Sequence, residues 1–90
     1  MTIETTLELR YGKEDYILLV KMIRIEASSY FFIRDKENEK PLLFGKTLEL
    51  TWLESFSLTE FGGKVKSPGI PKRIVAAIEK GLMKNRQTWV

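Results

Sequence analysis

The chain has 90 residues, of which 43% are hydrophobic and 30% are charged, a composition typical of one globular domain. It contains no cysteine and no histidine, which excludes disulfides, thiolate or imidazole metal sites, and the usual serine or cysteine catalytic triads. The formal net charge of +3 is unevenly distributed, because residues 1–60 carry −3 and residues 61–90 carry +6.

The first part of the chain is predicted to form antiparallel strands. Ile3 to Tyr11 alternates apolar and polar residues, which is typical of a strand with one solvated face. A turn is predicted from Gly12 to Asp15. It leads into Tyr16 to Ile25, where apolar residues occur on both sides of the strand. We therefore expect this second strand to lie in the middle of the sheet with both faces covered.

Further strands are predicted before residue 60. Ser28-Ser29 is expected to break the second strand, and an aromatic third strand follows from Tyr30 to Arg34. After an exposed polar turn at residues 35–41, Leu42 to Phe44 is predicted to be a short strand. Alternation then resumes from Thr47 to about Leu58.

The last third of the chain is predicted to be a basic, glycine-rich loop at residues 62–70 and one helix at about 71–84. Pro71 suits the first helical turn, and Ile74, Ile78 and Leu82 recur every four residues as one apolar stripe. The fold class predicted for residues 1–90 is therefore a single α+β domain. It would consist of an antiparallel meander sheet of four to five strands, with one C-terminal helix packed on one face.

The basic end of the chain suggests contact with an anionic partner. Lys72 and Arg73 lie in the first helical turn, where the helix dipole disfavours cations. Backbone N–H groups at a helix start, surrounded by cations, would suit a phosphate. The candidate nucleic-acid-binding residues are Lys64, Lys66, Lys72, Arg73, Lys80 and Lys84.

Two motifs that resemble ligand-binding sequences are incomplete. Gly45-Lys46-Thr47 resembles the end of a phosphate-binding loop, but Lys40 stands where that loop needs a glycine. Asp35, Glu37 and Glu39 have calcium-loop spacing, but lysines occupy the required glycine and glutamate positions. We therefore predict no metal, no cofactor and no catalytic residue, and hence a protein that is not an enzyme.

The aromatic residues leave two interpretations open. They fill the core or stack on bases, and strand spacing in a small domain favours the core. The residues in question are Tyr30, Phe31, Phe32, Trp52 and Phe56. Trp89, near the C-terminal end, is expected to pack on the sheet or anchor another chain, and we favour the packed position.

The predicted function is non-enzymatic binding of nucleic acid, foremost single-stranded DNA or RNA, through the basic loop and helix. The order of four strands and one helix is similar in outline to whirly and PUR single-stranded-nucleic-acid binders, a likeness of topology alone. The alternative is a protein-interaction or assembly module that uses an apolar sheet face or edge. One helix covers only one face of the sheet, so we expect either a homodimer or a long hairpin folded over the second face, and we favour the homodimer. The expected location is cytoplasmic, with no membrane contact.

Overall fold

A computed structural model of the chain describes residues 1–37, 39–53 and 69–89. Its elements are β1 Thr2–Tyr11, β2 Glu14–Ile25, β3 Ser28–Asp35, β4 Leu48–Leu53, α1 Lys72–Lys84 and the four-residue α2 Arg86–Trp89. The described strands form one antiparallel sheet in the order β1-β2-β3-β4. The α+β class and the meander followed by a helix are therefore confirmed. Neither described helix is long and apolar enough to cross a membrane.

Two-residue turns at residues 12–13 and 26–27 connect the first three strands. Gly12 and Glu26 have φ values of 65° and 55°, the positive φ that such hairpins need at their first central position. The first turn is therefore shorter than predicted. The predicted break at Ser28-Ser29 is wrong, because the chain already turns at Glu26 and both serines belong to β3.

Alternation along the strands separates two faces of the sheet. The core face consists of the odd-numbered residues of β1 and β3 and the even-numbered residues of β2 and β4. Its buried hydrophobic members are Leu7, Leu18, Val20, Met22, Phe31, Ile33, Leu48, Leu50 and Trp52. We call the opposite side the open face, and there Ile17, Leu19 and Ile23 of β2 are only half-buried. The second strand is central, as predicted, but one of its two faces is only partly covered.

The apolar stripe of α1 lies in the core. Ile74, Ile78 and Leu82 belong to the same hydrophobic cluster as the core face of the sheet. At Gly81 the helix approaches β1 so closely that an added Cβ would lie 3.4 Å from methyl groups of Leu7 and Leu9. The structure confirms the predicted extent of the helix. Its first residue is Lys72, because the prolyl residue at position 71 is the N-cap.

Trp89 joins the end of α1 to the sheet. Its indole N–H donates to the carbonyl oxygen of Leu82 at 3.0 Å, and the Asn85 side-chain amide donates to the carbonyl oxygen of Gly81 at 3.0 Å. Carbonyls in the last helical turn lack the usual partner four residues on. The Asn85 side chain satisfies that of Gly81, and the indole adds a second donor to the Leu82 carbonyl, which also accepts from the Asn85 backbone N–H at 3.1 Å. The indole packs edge-on against Phe31, with ring centroids 5.3 Å apart. The packed position of Trp89 is therefore confirmed.

Asp35 organises the connection from β3 to β4. Its carboxylate accepts hydrogen bonds from the backbone N–H groups of Leu42 at 2.8 Å, Leu43 at 3.1 Å and Gly45 at 3.3 Å. The Lys46 N–H then donates to the carbonyl oxygen of Leu43 at 2.9 Å and closes a β-turn. The short strand predicted in this connection is wrong, because a carboxylate satisfies these backbone groups in place of a neighbouring strand.

Candidate nucleic-acid interface

The side of α1 that faces away from the sheet carries a row of cations. At 100° per residue, Arg73, Lys80 and Lys84 fall within an arc of about 40°, well away from the buried stripe. All three are exposed, as is Lys72. The row from the first to the last of them is about 16 Å long, at 1.5 Å of rise per residue. None of these four cations forms an ion pair with another residue in the described ranges.

The start of α1 has no negative side chain of its own to balance its positive charge. Pro71 is the N-cap and offers no side-chain hydrogen bond, and the first turn contains no acidic residue. The first backbone N–H groups of a helix carry partial positive charge and need acceptors. Lys72 and Arg73 add two full positive charges there. An anion would therefore be stabilised at this position by both the backbone and the side chains.

A tight turn lies next to this helix start. The Lys46 ammonium lies against Gly69, two residues before the N-cap, so that an added Cβ on this glycine would collide with it. Phe44 and Gly45 are the central residues of the turn, with φ values of 55° and 78°. Positive φ at both positions defines a type I′ turn, which normally has Asn, Asp or Gly at the first of them. Here that position is occupied by a phenylalanine whose surface is 67% exposed.

We define the basic surface as the exposed cations of this turn and of α1. They are Lys46, Lys72, Arg73, Lys80 and Lys84. Phe44 lies at its edge, two residues before the first of these cations. The combination offers point charges for phosphates and one aromatic ring for a base, which are the two elements of single-strand recognition.

Glu79 is the one acidic residue of α1, and it is half-buried. Burial raises the pKa of the Glu79 carboxyl above its ordinary value, because removal from water penalises the charged form. Neither residue four positions away along the helix, Val75 or Met83, is a cation. Glu79 therefore provides little local compensation for the positive charge of the basic surface.

Four of the six candidate residues chosen from the sequence lie in the part of the chain that the structure describes. Lys72, Arg73, Lys80 and Lys84 lie on one helix and are exposed. Lys64 and Lys66 lie outside the described residues. Sequence reasoning missed Lys46, which it considered only as part of an incomplete phosphate-binding loop. The available signal was Gly45, since a glycine just before a lysine is typical of a turn that exposes its flanking side chains.

The aromatic residues divide between the core and the surface. Phe31 and Trp52 are buried and stack with ring centroids 6.5 Å apart, which confirms the core interpretation for these two. Tyr30 is 37% exposed, but it lies on the open face, across the sheet from α1. Phe32 is half-buried on the same face, and Phe56 lies outside the described residues. Among the described residues, Phe44 is an exposed aromatic residue that shares a turn with a cation of the basic surface, and sequence reasoning had placed it in a strand.

The incomplete ligand-binding motifs have structural roles in this fold. Gly45 lies in the segment that resembles a phosphate-binding loop, and its N–H donates to the Asp35 carboxylate. This backbone donor is therefore already bound to an anionic side chain of the same protein. The same carboxylate is thereby engaged in organising a turn. Within the described ranges, no group of three or more acidic residues could hold a metal ion.

Comparison of the chain with protein-family models, with curated proteins and with solved structures gave no match in any of the three cases. The topological likeness to whirly and PUR proteins therefore gains no support from these comparisons. The function of this chain is therefore inferred from its own geometry and charge.

Proposed function

We propose that this protein binds single-stranded nucleic acid, without catalysing a reaction, through the basic surface. The observation that carries the proposal is the concentration of five exposed cations, unpaired among the described residues, around one end and one side of α1. Cations that already have ion-pair partners lose part of their interaction when a phosphate replaces the partner. Unpaired cations bind phosphate without that loss.

Phe44 supports a single strand as the ligand in preference to a duplex. An exposed ring can stack on a base only where the base is free of its neighbours, and stacking is tolerant of base identity. Phe44 and Lys46 belong to the same type I′ turn, so that a base and a nearby phosphate could be contacted together. Lys64 and Lys66 belong to the proposed site through their position in the sequence. The cytoplasmic location remains part of the same proposal.

The proposal is tested by fluorescence anisotropy with labelled single-stranded DNA, single-stranded RNA and duplex DNA at about 50 mM salt. The double variant Lys72→Gln/Arg73→Gln removes two phosphate contacts from the basic surface, and we expect its affinity for single strands to fall by about 10- to 100-fold. The matched control is Arg10→Gln/Lys21→Gln. It removes the same charge from the open face, where each cation is within 4 Å of a carboxylate.

The control variant should bind nearly as tightly as the wild-type chain. An equal loss of affinity in both variants would show that overall charge, and not the basic surface, determines binding. Absence of binding by the wild-type chain to all three probes would remove the proposal.

The open face favours a second candidate function, namely protein–protein interaction. Ile25 is 58% exposed and Tyr30 37% exposed there, and contiguous apolar surface of this kind commonly marks an interaction site. This function would use the side of the sheet opposite to α1. It is therefore compatible with nucleic-acid binding by the same molecule.

A further inference from the structure

The open face has an apolar centre that follows β2. Ile17, Leu19 and Ile23 are half-buried there, and Ile25 continues the same column with 58% of its surface exposed. Phe32 lies beside this column on β3, because it pairs with Lys21 in the register of the two strands. The centre of the face is therefore suited to contact with another apolar surface.

The two flanks of this apolar column differ in charge. On the open face, β1 carries the exposed Glu4, Glu8 and Arg10, the last of them 3.9 Å from Asp15, and β3 carries the exposed Arg34. In the strand registers Arg34 pairs with Leu19, which pairs with Thr6. The arginine therefore lies level with the midpoint between the two glutamates, on the opposite side of the column.

We propose that the open face binds the open face of a second copy of this chain, with the two-fold axis parallel to β2. Such an axis places the β2 columns against each other and lays β1 of each copy over β3 of the other. Arg34 of one copy then lies over the interval between Glu4 and Glu8 of the second copy. The reversed arrangement, with the axis perpendicular to the strands, would lay β1 over β1 and β3 over β3, so that Arg34 would no longer face Glu4 and Glu8. Charge complementarity therefore selects both the occupant and the direction of the axis.

The overlapping part of the two faces suits a small, weak dimer. About this axis β1, β2 and β3 overlap, and β4 of each copy lies beyond β1 of the other. Three strands at about 4.8 Å are about 14 Å wide, and eight residues at about 3.3 Å are about 26 Å long. The flat area is thus about 370 Å² on each copy, or about 750 Å² together before side-chain relief is included, which is the size of a weak or transient contact. Two sheets packed in this way form an ordinary aligned sandwich.

Lys21 is the charged residue within the apolar column. Its ammonium lies 3.8 Å from the Glu4 carboxylate on the neighbouring strand, so the charge is directed toward the β1 flank and away from the column. Its aliphatic part can then remain in the interface while the charge stays at the edge. Acidic and basic residues are nearly balanced over the open face, which disfavours a polyanion as its occupant. The acids there are Glu4, Glu8, Asp15 and Glu49, and the bases are Arg10, Lys21 and Arg34.

The test is sedimentation equilibrium of the full chain and of two complementary charge variants. Arg34→Glu and the double variant Glu4→Lys/Glu8→Lys each place like charges at two symmetry-related positions. We expect each variant to weaken self-association by about 100-fold, because the repulsion at each of the two positions contributes a factor of about ten. An equimolar mixture should recover the association of the wild-type chain, because each variant then meets opposite charges on the other.

The control is Lys80→Glu on the outward side of α1, which should leave the dimer unchanged and thereby separates this interface from the basic surface. A wild-type chain that is monomeric at about 100 µM would overturn the proposal. A dimer that survives both face variants would overturn it as well. Weakening by both variants without recovery in the mixture would overturn the proposed direction of the axis.

Discussion

Phe44 occupies a backbone conformation that disfavours it, and this makes the residue a sensitive probe of function. The left-handed conformation costs a residue with a Cβ about 1–2 kcal/mol, and Asn tolerates it better. Phe44→Asn is therefore expected to raise the free energy of unfolding by about 1 kcal/mol, as measured by chemical denaturation. If the ring stacks on a base, the same change should lower single-strand affinity by about 5- to 150-fold, equivalent to about 1–3 kcal/mol.

Opposite effects on stability and binding would distinguish a functional ring from a structural one. Phe44→Tyr keeps the ring and serves as the control, so it should bind as the wild-type chain does. A stable Phe44→Asn variant with unchanged affinity would exclude this residue from the interface.

The stability of the protein should depend on pH through the half-buried Glu79. Burial raises the pKa of the Glu79 carboxyl in the folded state above the ordinary value of 4.5. Between pH 4.5 and the higher pKa of the folded state, the folded chain therefore binds more protons than the unfolded chain. The free energy of unfolding falls as pH rises through that interval. The penalty is fully present above the folded pKa and absent below the unfolded pKa.

Glu79→Gln removes this penalty, because glutamine does not ionise. The variant should have a higher Tm than the wild-type chain at pH 7, and the difference should vanish at about pH 3.5. Thermal unfolding followed by circular dichroism at both pH values measures it. A difference of the same size at both values would show that the effect of Glu79 is not due to ionisation.

At the level of the elements, α1 contacts β1 closely at Gly81, with room for a methyl group. Alanine is favoured over glycine in a helix by about 1 kcal/mol, and the added methyl group would meet Leu7 and Leu9 at 3.4 Å, an ordinary contact distance. We therefore expect Gly81→Ala to raise the free energy of unfolding by about 0.5–1 kcal/mol. Ala76→Gly, at an exposed position of the same helix, should lower it by about 1 kcal/mol through propensity alone.

Chemical denaturation of the two variants compares propensity with packing directly. If Gly81→Ala instead destabilises the protein by more than about 1 kcal/mol, the helix packs more tightly on β1 than the structure indicates.

Elements defined by periodicity were predictable from the sequence. The stripe of α1 and the alternation in β1 and β4 predicted both the elements and the residues that face the core, because burial imposes those periods. The turns at Glu26 and Phe44 were not predictable in this way. Each has a positive φ on a residue that rarely adopts it. The second also depends on backbone N–H groups that donate to the Asp35 carboxylate, up to 10 residues distant. Such contacts leave no period in the sequence.

For the whole molecule, the fold converts a charge asymmetry along the chain into two different surfaces. The strands carry six of the twelve acidic residues, and the open face has both signs of charge around an apolar column. The α1 part of the basic surface lies across the core from it. The turn that carries Lys46 lies nearer, because its neighbours Gly45 and Thr47 line one depression with Leu19 and Arg34 of the open face. In the proposed dimer, the two open faces would meet and both basic surfaces would remain available to ligands.

The measurement that tests the central claim most directly is the salt dependence of single-strand binding by the wild-type chain and by Lys72→Gln/Arg73→Gln. Each phosphate contact contributes about 0.7 to the slope of log affinity against log salt concentration for single strands. With four to six contacts, the wild-type slope should be about −3 to −4, and the double variant should flatten it by about 1 to 1.5 while remaining folded. A wild-type slope near zero, or a slope that the double variant leaves unchanged, would contradict the assignment of phosphate binding to the basic surface.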